Sequence, residues 1–206
     1  MVCGPTGSGK SRLLQALQLQ GAQVLDLEGL AAHRGSVLGA LPGQAQPAQR
    51  LFESRLMTAM AALDPARPVF VEAESRRIGT VHMPEQLMEA MRGSPCLAIE
   101  AGETARVELL LAEYRHFLVD LGSLRATLER LTELHGKARI GQWMALAEAG
   151  DFRALVEQLL RSHYDPLYRR SSHGNYRGLA QAGRLDGGAL GAADFHRLAL
   201  ELRDVP

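Results

Sequence analysis

Eight residues near the start of the chain, Gly4-Pro5-Thr6-Gly7-Ser8-Gly9-Lys10-Ser11, are of the types and at the spacing that hold phosphate. They fit G-x-x-x-x-G-K-[ST], the P-loop pattern, in which glycines let successive backbone N–H groups turn inward onto phosphate oxygens. Gly4, Thr6, Gly7, Ser8, Gly9, Lys10 and Ser11 are the expected anion-binding set. Lys10 brings a compact positive charge to the outer phosphate, and the Ser11 hydroxyl can ligate Mg²⁺. The chain has only two lysines, Lys10 and Lys137, and otherwise uses arginine, so a lysine stands where a point charge is needed. A helix starting at this loop aims its positive end at the same anion.

Acids at strand ends form a second set. Val69-Phe70-Val71 reads as a buried strand running into Glu72-Ala73-Glu74-Ser75-Arg76-Arg77. An apolar strand ending in an acid after a P-loop is the Walker-B arrangement, whose carboxylate orients Mg²⁺ or its water. Here that residue is Glu72 in place of the commoner Asp, with Glu74 alternating to the same side. Ser11 and Glu72 are the metal-ligand candidates, and Lys10, Glu72 and Arg76 the catalytic ones, with Arg76 and Arg77 able to clamp a second anion. Val24-Leu25-Asp26-Leu27 reads as a short strand leading into Glu28 and the polar run to Ser36. Ligands gather at the carboxyl ends of parallel strands, so Asp26, Glu28, His33 and Arg34 are expected near the loop, Asp26 and Arg34 as part of its binding set. Ordinary surface ion pairs and solvated turn acids would give the same letters.

A third set is basic and aromatic. Between Arg161 and Arg184 stand Arg161, Arg169, Arg170, Arg177 and Arg184 with His163 and His173, against one acid, Asp165. Tyr164, Tyr168 and Tyr176 are interleaved with them. Such a mixture holds nucleic-acid phosphates while stacking bases, and it equally describes a solvated surface packed by its tyrosines.

The elements that must position these sets alternate over the first hundred residues. Met1-Val2-Cys3 is the end of a strand feeding the loop, its beginning expected outside this sequence. A helix follows from about Lys10 to Leu19, closed by Gly21, and another runs from Pro47 to Leu63. A short helix opens at Pro84, and Cys96-Leu97-Ala98-Ile99 is a further strand. Strands alternating with helices imply a parallel sheet, hence an α/β fold of the P-loop NTPase kind. From Glu103 the pattern turns helical, with helices expected over 104–119, 123–134, 138–149 and 152–162. Asp186-Gly187-Gly188 reads as a turn and Asp194 as the N-cap of a final helix to about Leu202. The expected division is a P-loop core over 1–102, a helical subdomain over 103–163, and a basic, aromatic segment with a last helix over 164–206.

Composition bounds the rest. The chain has 206 residues, 46% hydrophobic and 22% charged, with no net charge, which is the range of an ordinary globular protein. No apolar run reaches the length of a membrane span and no leader precedes the loop, so a cytoplasmic protein is expected. Cys3 and Cys96 sit in short apolar runs that suit buried strand positions, without metal-site spacing.

With these segments placed, the sequence resembles the P-loop domain of the tRNA 2-selenouridine synthases. The resemblance spans about residues 4–176 and rests on the loop itself, on Gly21-Ala22-Gln23-Val24-Leu25-Asp26-Leu27-Glu28-Gly29-Leu30 leading into His33-Arg34-Gly35-Ser36, on Val71-Glu72-Ala73-Glu74-Ser75-Arg76-Arg77-Ile78-Gly79, and on His163-Tyr164-Asp165-Pro166-Leu167-Tyr168. It implies modification of the wobble uridine of certain tRNAs. Selenium would replace the sulfur of 2-thiouridine through an S-geranylated intermediate, with geranyl diphosphate and selenophosphate as co-substrates. The family carries a rhodanese-like domain before the P-loop domain, whose cysteine serves the selenium step. No such domain is expected within these residues, and neither Cys3 nor Cys96 lies in a rhodanese-type loop, so prenyl transfer and tRNA binding are the functions that the resemblance implies for them. The anticodon region of tRNA is then the partner expected at Arg77, Tyr164, Tyr168, Arg169 and Arg170. Two other classes fit the loop: a nucleotide-dependent kinase or NTPase with a helical lid, and a module that holds an anion and only presents tRNA to a partner.

Overall fold

The computed structural model describes residues 1–203 and, at 171–175 and 177, the backbone alone. The side chains of His173 and Arg177, two members of the basic set, therefore lie outside the described part.

Five parallel strands form the centre. β1 (Val2–Cys3) pairs with β6 (Leu97–Glu100), and β6 pairs with β7 (Gly183–Asp186). On the other side of β1, β2 (Gln23–Leu25) pairs with β3 (Val69–Val71). A parallel bridge from Val2 to Glu72 and the bond from Ala73 N–H to the Val2 carbonyl, 2.8 Å, draw this pair alongside β1. The spatial order is thus β2–β3–β1–β6–β7, with connections leaving β1 to both sides. The crevice at such a reversal is where an open parallel sheet takes its ligands.

Helices cover both faces. α1 (Lys10–Leu19) buries Leu13, Leu14 and Leu17 against Val2, Phe70, Ile99 and Leu185, where α11 (Ala192–Arg203) joins it through Phe195 and Leu198. On the opposite face α3 (Gln49–Ala61) and α4 (Glu85–Gly93) present Phe52, Leu56, Met88 and Met91 to Cys3, Leu25, Val71 and Cys96. Both cysteines are free and buried in that layer, as their apolar neighbours predicted.

Between β6 and β7 the chain makes a long helical excursion: α5 (Glu103–Glu113), α6 (Arg115–Val119), α7 (Leu121–Glu129), α8 (Thr132–Glu148) and α9 (Phe152–Leu159). A single π turn, Leu160–Tyr164, leads into α10 (Asp165–Asn175). Trp143, Leu128, Leu155 and Phe117 centre a core belonging to this excursion. Among the described residues no helix is long and apolar enough to cross a membrane.

The sequence reading departs from this fold at five places. The strand expected through Leu27 stops at Leu25, because the Asp26 carboxylate accepts from the Gly29 N–H, 2.8 Å, and caps a short helix, α2 (Leu27–Ala31). The helix expected over 104–119 breaks at Tyr114, whose ψ of 22° leaves the helical range. The break expected at Gly136 is a kink inside α8, where Gly136 adopts φ 77°. Residues 77–82 form a small hairpin, β4 (Arg77–Ile78) and β5 (Val81–His82), and β7 closes the sheet; neither was expected.

Candidate functional site

The loop from Gly4 to Ser11 crosses the carboxyl end of β1 and opens onto a cavity of about 630 Å³. Its shape depends on glycine at two positions. Gly7 and Gly9 take φ 77° and 83°, in the left-handed region that other residues avoid. A Cβ on Gly7 would stand 2.9 Å from Leu110 Cδ1, and one on Gly9 would collide with the Phe195 ring. Lys10 Nζ donates to the Gly4 carbonyl, 3.0 Å, so the ammonium lies across the mouth of the loop. Gly4, Thr6, Gly7, Gly9, Lys10 and Ser11 all line the cavity. Ser8, expected in the binding set, is fully buried behind the loop and does not line the cavity; its hydroxyl has no partner and its N–H donates to the Pro5 carbonyl at 3.1 Å.

Across the loop stand three carboxylates. Ser11 Oγ lies 2.9 Å from Glu28 Oε2 and 3.2 Å from Glu72 Oε2, yet a hydroxyl has one proton to give. Oxygens of Glu28, Glu72 and Glu74 all approach within 4.8 Å of one another. Glu72 is wholly buried and its Oε1 has no hydrogen-bond partner. Glu74 fits because Gly35 has no side chain: a Cβ there would meet the Glu74 carboxylate. Burial, then mutual repulsion, raises Glu28 to about 7 and lifts Glu72 well above the usual carboxylate range. Burial raises Glu74 too, against the pull of Lys10. An oxygen-only set with an orphaned buried carboxylate oxygen suits a hard divalent cation such as Mg²⁺. The sequence singled out Ser11 and Glu72 for this role; the structure adds Glu28 and Glu74.

The other expected residues divide. Asp26 and Arg34 line the cavity, Arg34 with its guanidinium 4.9 Å over the Tyr114 ring and donating to the Glu113 carbonyl at 3.2 Å. His33 lies beside them, its Nδ1 accepting from the Gly35 N–H at 3.1 Å. Arg76, expected in the catalytic set, is outside the cavity: the chain turns at Ser75 into the β4–β5 hairpin, and Arg76 faces Glu85 at 3.5 Å. Arg77 is exposed on the same hairpin, donating to the Gly79 carbonyl at 2.7 Å. Tyr164 and Tyr168 line the cavity instead of an outer surface. The Tyr164 hydroxyl reaches Ser36 and the Leu38 backbone, and Tyr168 reaches the Gly4 backbone. Arg169 and Arg170 remain exposed on α10, Arg170 donating to the Pro166 carbonyl at 3.2 Å.

Two features were not read from the sequence. Arg106 is 6% exposed and bonds both the Thr6 carbonyl and the Asp165 carboxylate. Its signal was an arginine one residue before Val107 and four before Leu110, on the face that α5 buries. The second is a smaller cavity of about 50 Å³ with apolar walls, among them Leu38, Leu124, Leu155, Val156 and Leu159. It shares Thr6, Leu110, Tyr114 and Tyr164 with the large cavity, so the two adjoin across these residues, one of them in the glycine loop.

A model of the tRNA 2-selenouridine synthase AAA domain matches residues 1–123. The chain belongs to this family. A tRNA 2-selenouridine synthase from Alcanivorax borkumensis is 34% identical over 196 residues, covering 82% of this chain and 53% of that protein. The one from Cupriavidus necator is 35% identical over 193 residues, covering 80% and 51%. That from Nitrosomonas europaea is 28% identical over 231 residues, covering 88% and 60%. The chain thus spans about half the length of the curated relatives it matches. No solved structure matches it. In this AAA domain the match takes in the glycine loop, all three glutamates and Arg106, whereas α8 to α11 lie beyond it.

Proposed function

We propose that the chain is a P-loop geranyltransferase of tRNA wobble-uridine modification, acting on the sulfur of 2-thiouridine. One observation carries the reading: an anion cradle and an apolar cavity meet at Thr6, which is the layout that a diphosphate with a short hydrocarbon tail requires. A nucleotide would fill the cradle but has no use for the apolar annex.

In the reaction the thiocarbonyl sulfur attacks C1 of the geranyl group, the C1–O bond breaks with its electron pair passing to the diphosphate, and the uracil N3 proton is lost. Charge therefore grows on the leaving diphosphate. Lys10 and the loop amides stabilise it, and being held in place beforehand they need little reorganisation as it forms. Ser11, Glu28, Glu72 and Glu74 would hold Mg²⁺, which supplies further positive charge to the same phosphates. Arg12 and Arg34 are the other cations on the cavity wall, Arg12 paired with Glu113 at 2.8 Å. The exposed Arg169 and Arg170 are the candidates for RNA phosphates, and Tyr168, half-buried at the cavity edge, for a base brought to it. The selenium step, with selenophosphate, is assigned to the rhodanese-like domain of the family.

The test is to incubate the chain with a 2-thiouridine anticodon stem-loop, geranyl diphosphate and Mg²⁺ and to analyse the nucleosides by mass. S-geranyl-2-thiouridine is the expected product. Hydrolysis of a nucleoside triphosphate without prenyl transfer would move the chain to the kinase or NTPase class.

A further inference from the structure

The segment His163–Tyr168 is only partly explained by a role in binding RNA, because its central acid, half-buried and outside the cavity lining, is taken up by an arginine of another helix. Asp165, at the start of α10, accepts two bonds from Arg106 of α5: Nη2 to Oδ1 at 2.6 Å and Nη1 to Oδ2 at 3.1 Å. The third donor of the same guanidinium, Nε, goes to the Thr6 carbonyl at 2.9 Å. Three of the five N–H donors of Arg106 thus go to one carboxylate and one loop carbonyl, and the side chain lies behind the loop, outside the cavity lining.

We propose that Arg106 is a positioning residue for the diphosphate cradle, locked by Asp165, and this rests on the diphosphate reading above. A trans peptide is planar, so its C=O and N–H point in opposite directions. Holding the Thr6 carbonyl outward turns the Gly7 N–H inward, toward the anion. Gly7 on its own has little conformational preference, with φ 77° and no side chain to restrain it. α5 supplies the missing restraint twice, by the Arg106 bond and by Leu110, whose Cδ1 would lie 2.9 Å from a Gly7 Cβ. The planar guanidinium suits this work because it meets a carboxylate with two parallel bonds and still has Nε free to aim elsewhere. Tyr168, one turn on from Asp165 in α10, reaches the Gly4 backbone, so the same helix touches the loop at its first residue as well.

Calorimetric titration of the whole chain with inorganic pyrophosphate tests the assignment, with melting temperature measured alongside. The double variant Arg106→Met/Asp165→Leu replaces a buried ion pair by apolar side chains of similar size, a change that proteins tolerate with little loss of stability. It is expected to melt near the wild-type temperature and to bind pyrophosphate at least tenfold more weakly. Arg106→Lys, which keeps the charge but not the fork, is expected to lose nearly as much. Asp165→Asn, the mildest change and the one that serves if the others do not fold, is expected to lose severalfold. The Gly7 amide resonance in ¹⁵N-glycine spectra should shift in all three. Folded variants with wild-type affinity and an unmoved Gly7 amide would overturn the brace while leaving the diphosphate reading intact. Wild-type protein that does not bind pyrophosphate would overturn both.

Discussion

The two walls of the large cavity are made in different ways. One is polar and comes from the ends of β1, β2 and β3, where short loops set backbone amides, Lys10, Glu28 and Glu74, with Glu72 buried behind them. The other comes from α5 and α10 and is aromatic and apolar, with Leu109, Leu110, Tyr114, Tyr164 and Tyr168. The first wall is held by strand register and left-handed glycines, which tolerate few alternatives. The second is held by helix packing, which accepts exchanges of volume more readily. Under the proposed function, charge chemistry would sit on the rigid wall, and the choice of what is carried with the charge on the adaptable one.

Removing the ammonium should break the polar wall outright. Lys10→Ala is expected to lower geranyl transfer by about 100-fold or more while the protein stays folded, checked by single-turnover rates beside a thermal melt. Near-wild-type transfer by the folded variant would separate the glycine loop from the chemistry.

The apolar wall should answer to the tail alone. Geranyl diphosphate is expected to bind about tenfold or more tighter than dimethylallyl diphosphate, since each buried methylene contributes roughly 0.8 kcal/mol. Val156→Phe, which fills the annex from α9, should erase that difference and leave pyrophosphate affinity unchanged. Competition titrations with the three ligands would show it.

The walls should also respond oppositely to pH. His163 is 2% exposed, its Nδ1 2.9 Å from His135 Nε2, and burial followed by that neighbour holds it down to about 4. The unfolded chain therefore takes up a proton near pH 6.5 that the folded one refuses until about pH 4. Stability of the helical excursion is full above 6.5 and falls as the pH drops toward 4, by at most about 3 kcal/mol. Glu28 works the other way: held near 7, it keeps its proton after the unfolded chain has lost it. The metal-free loop region therefore loses stability as pH rises from 4.5 to 7. Hydrogen exchange at pH 5 and 7.5, corrected for intrinsic rates, should show protection moving from the first region to the second on acidification. Uniform change across both would contradict it.

The smallest effect is expected at the exposed arginines. Arg169→Ala/Arg170→Ala should weaken binding of the stem-loop severalfold and reduce the slope of log K against log salt by about 1 to 1.5. An unaltered slope would place the RNA elsewhere.

The same division decides how much could be read in advance. The Gly4–Ser11 loop, α1, β3 and Glu72 are local in sequence, each carried by spacing or by a run of a few residues, and they stand where the pattern put them. Family membership was legible for the same reason, since its motifs are contiguous stretches. What escaped depends on partners far away. Arg106 acquires its meaning from Thr6 and Asp165, 100 and 59 positions off. Tyr164 has the composition of an RNA contact but is turned inward by Ser36 and Leu38. Arg76 follows the acids directly in sequence, yet the hairpin begun at Arg77 carries it to Glu85. β7 is a short strand rich in glycine and charge, Gly183-Arg184-Leu185-Asp186, with one buried side chain, and only its place beside β6 makes it a strand.

The seat beneath Gly9 has a consequence for how the protein is born. Phe195, on α11, fills the space where a Gly9 side chain would be, and α11 lies along α1. The ribosome delivers Phe195 only after the whole helical excursion and β7 have followed Gly9 out. Until then the nascent loop has nothing of α11 beneath Gly9. Termination before α11 would leave the Gly4–Ser11 loop with no floor under it, an incompletely packed form of the kind that chaperones and proteases meet.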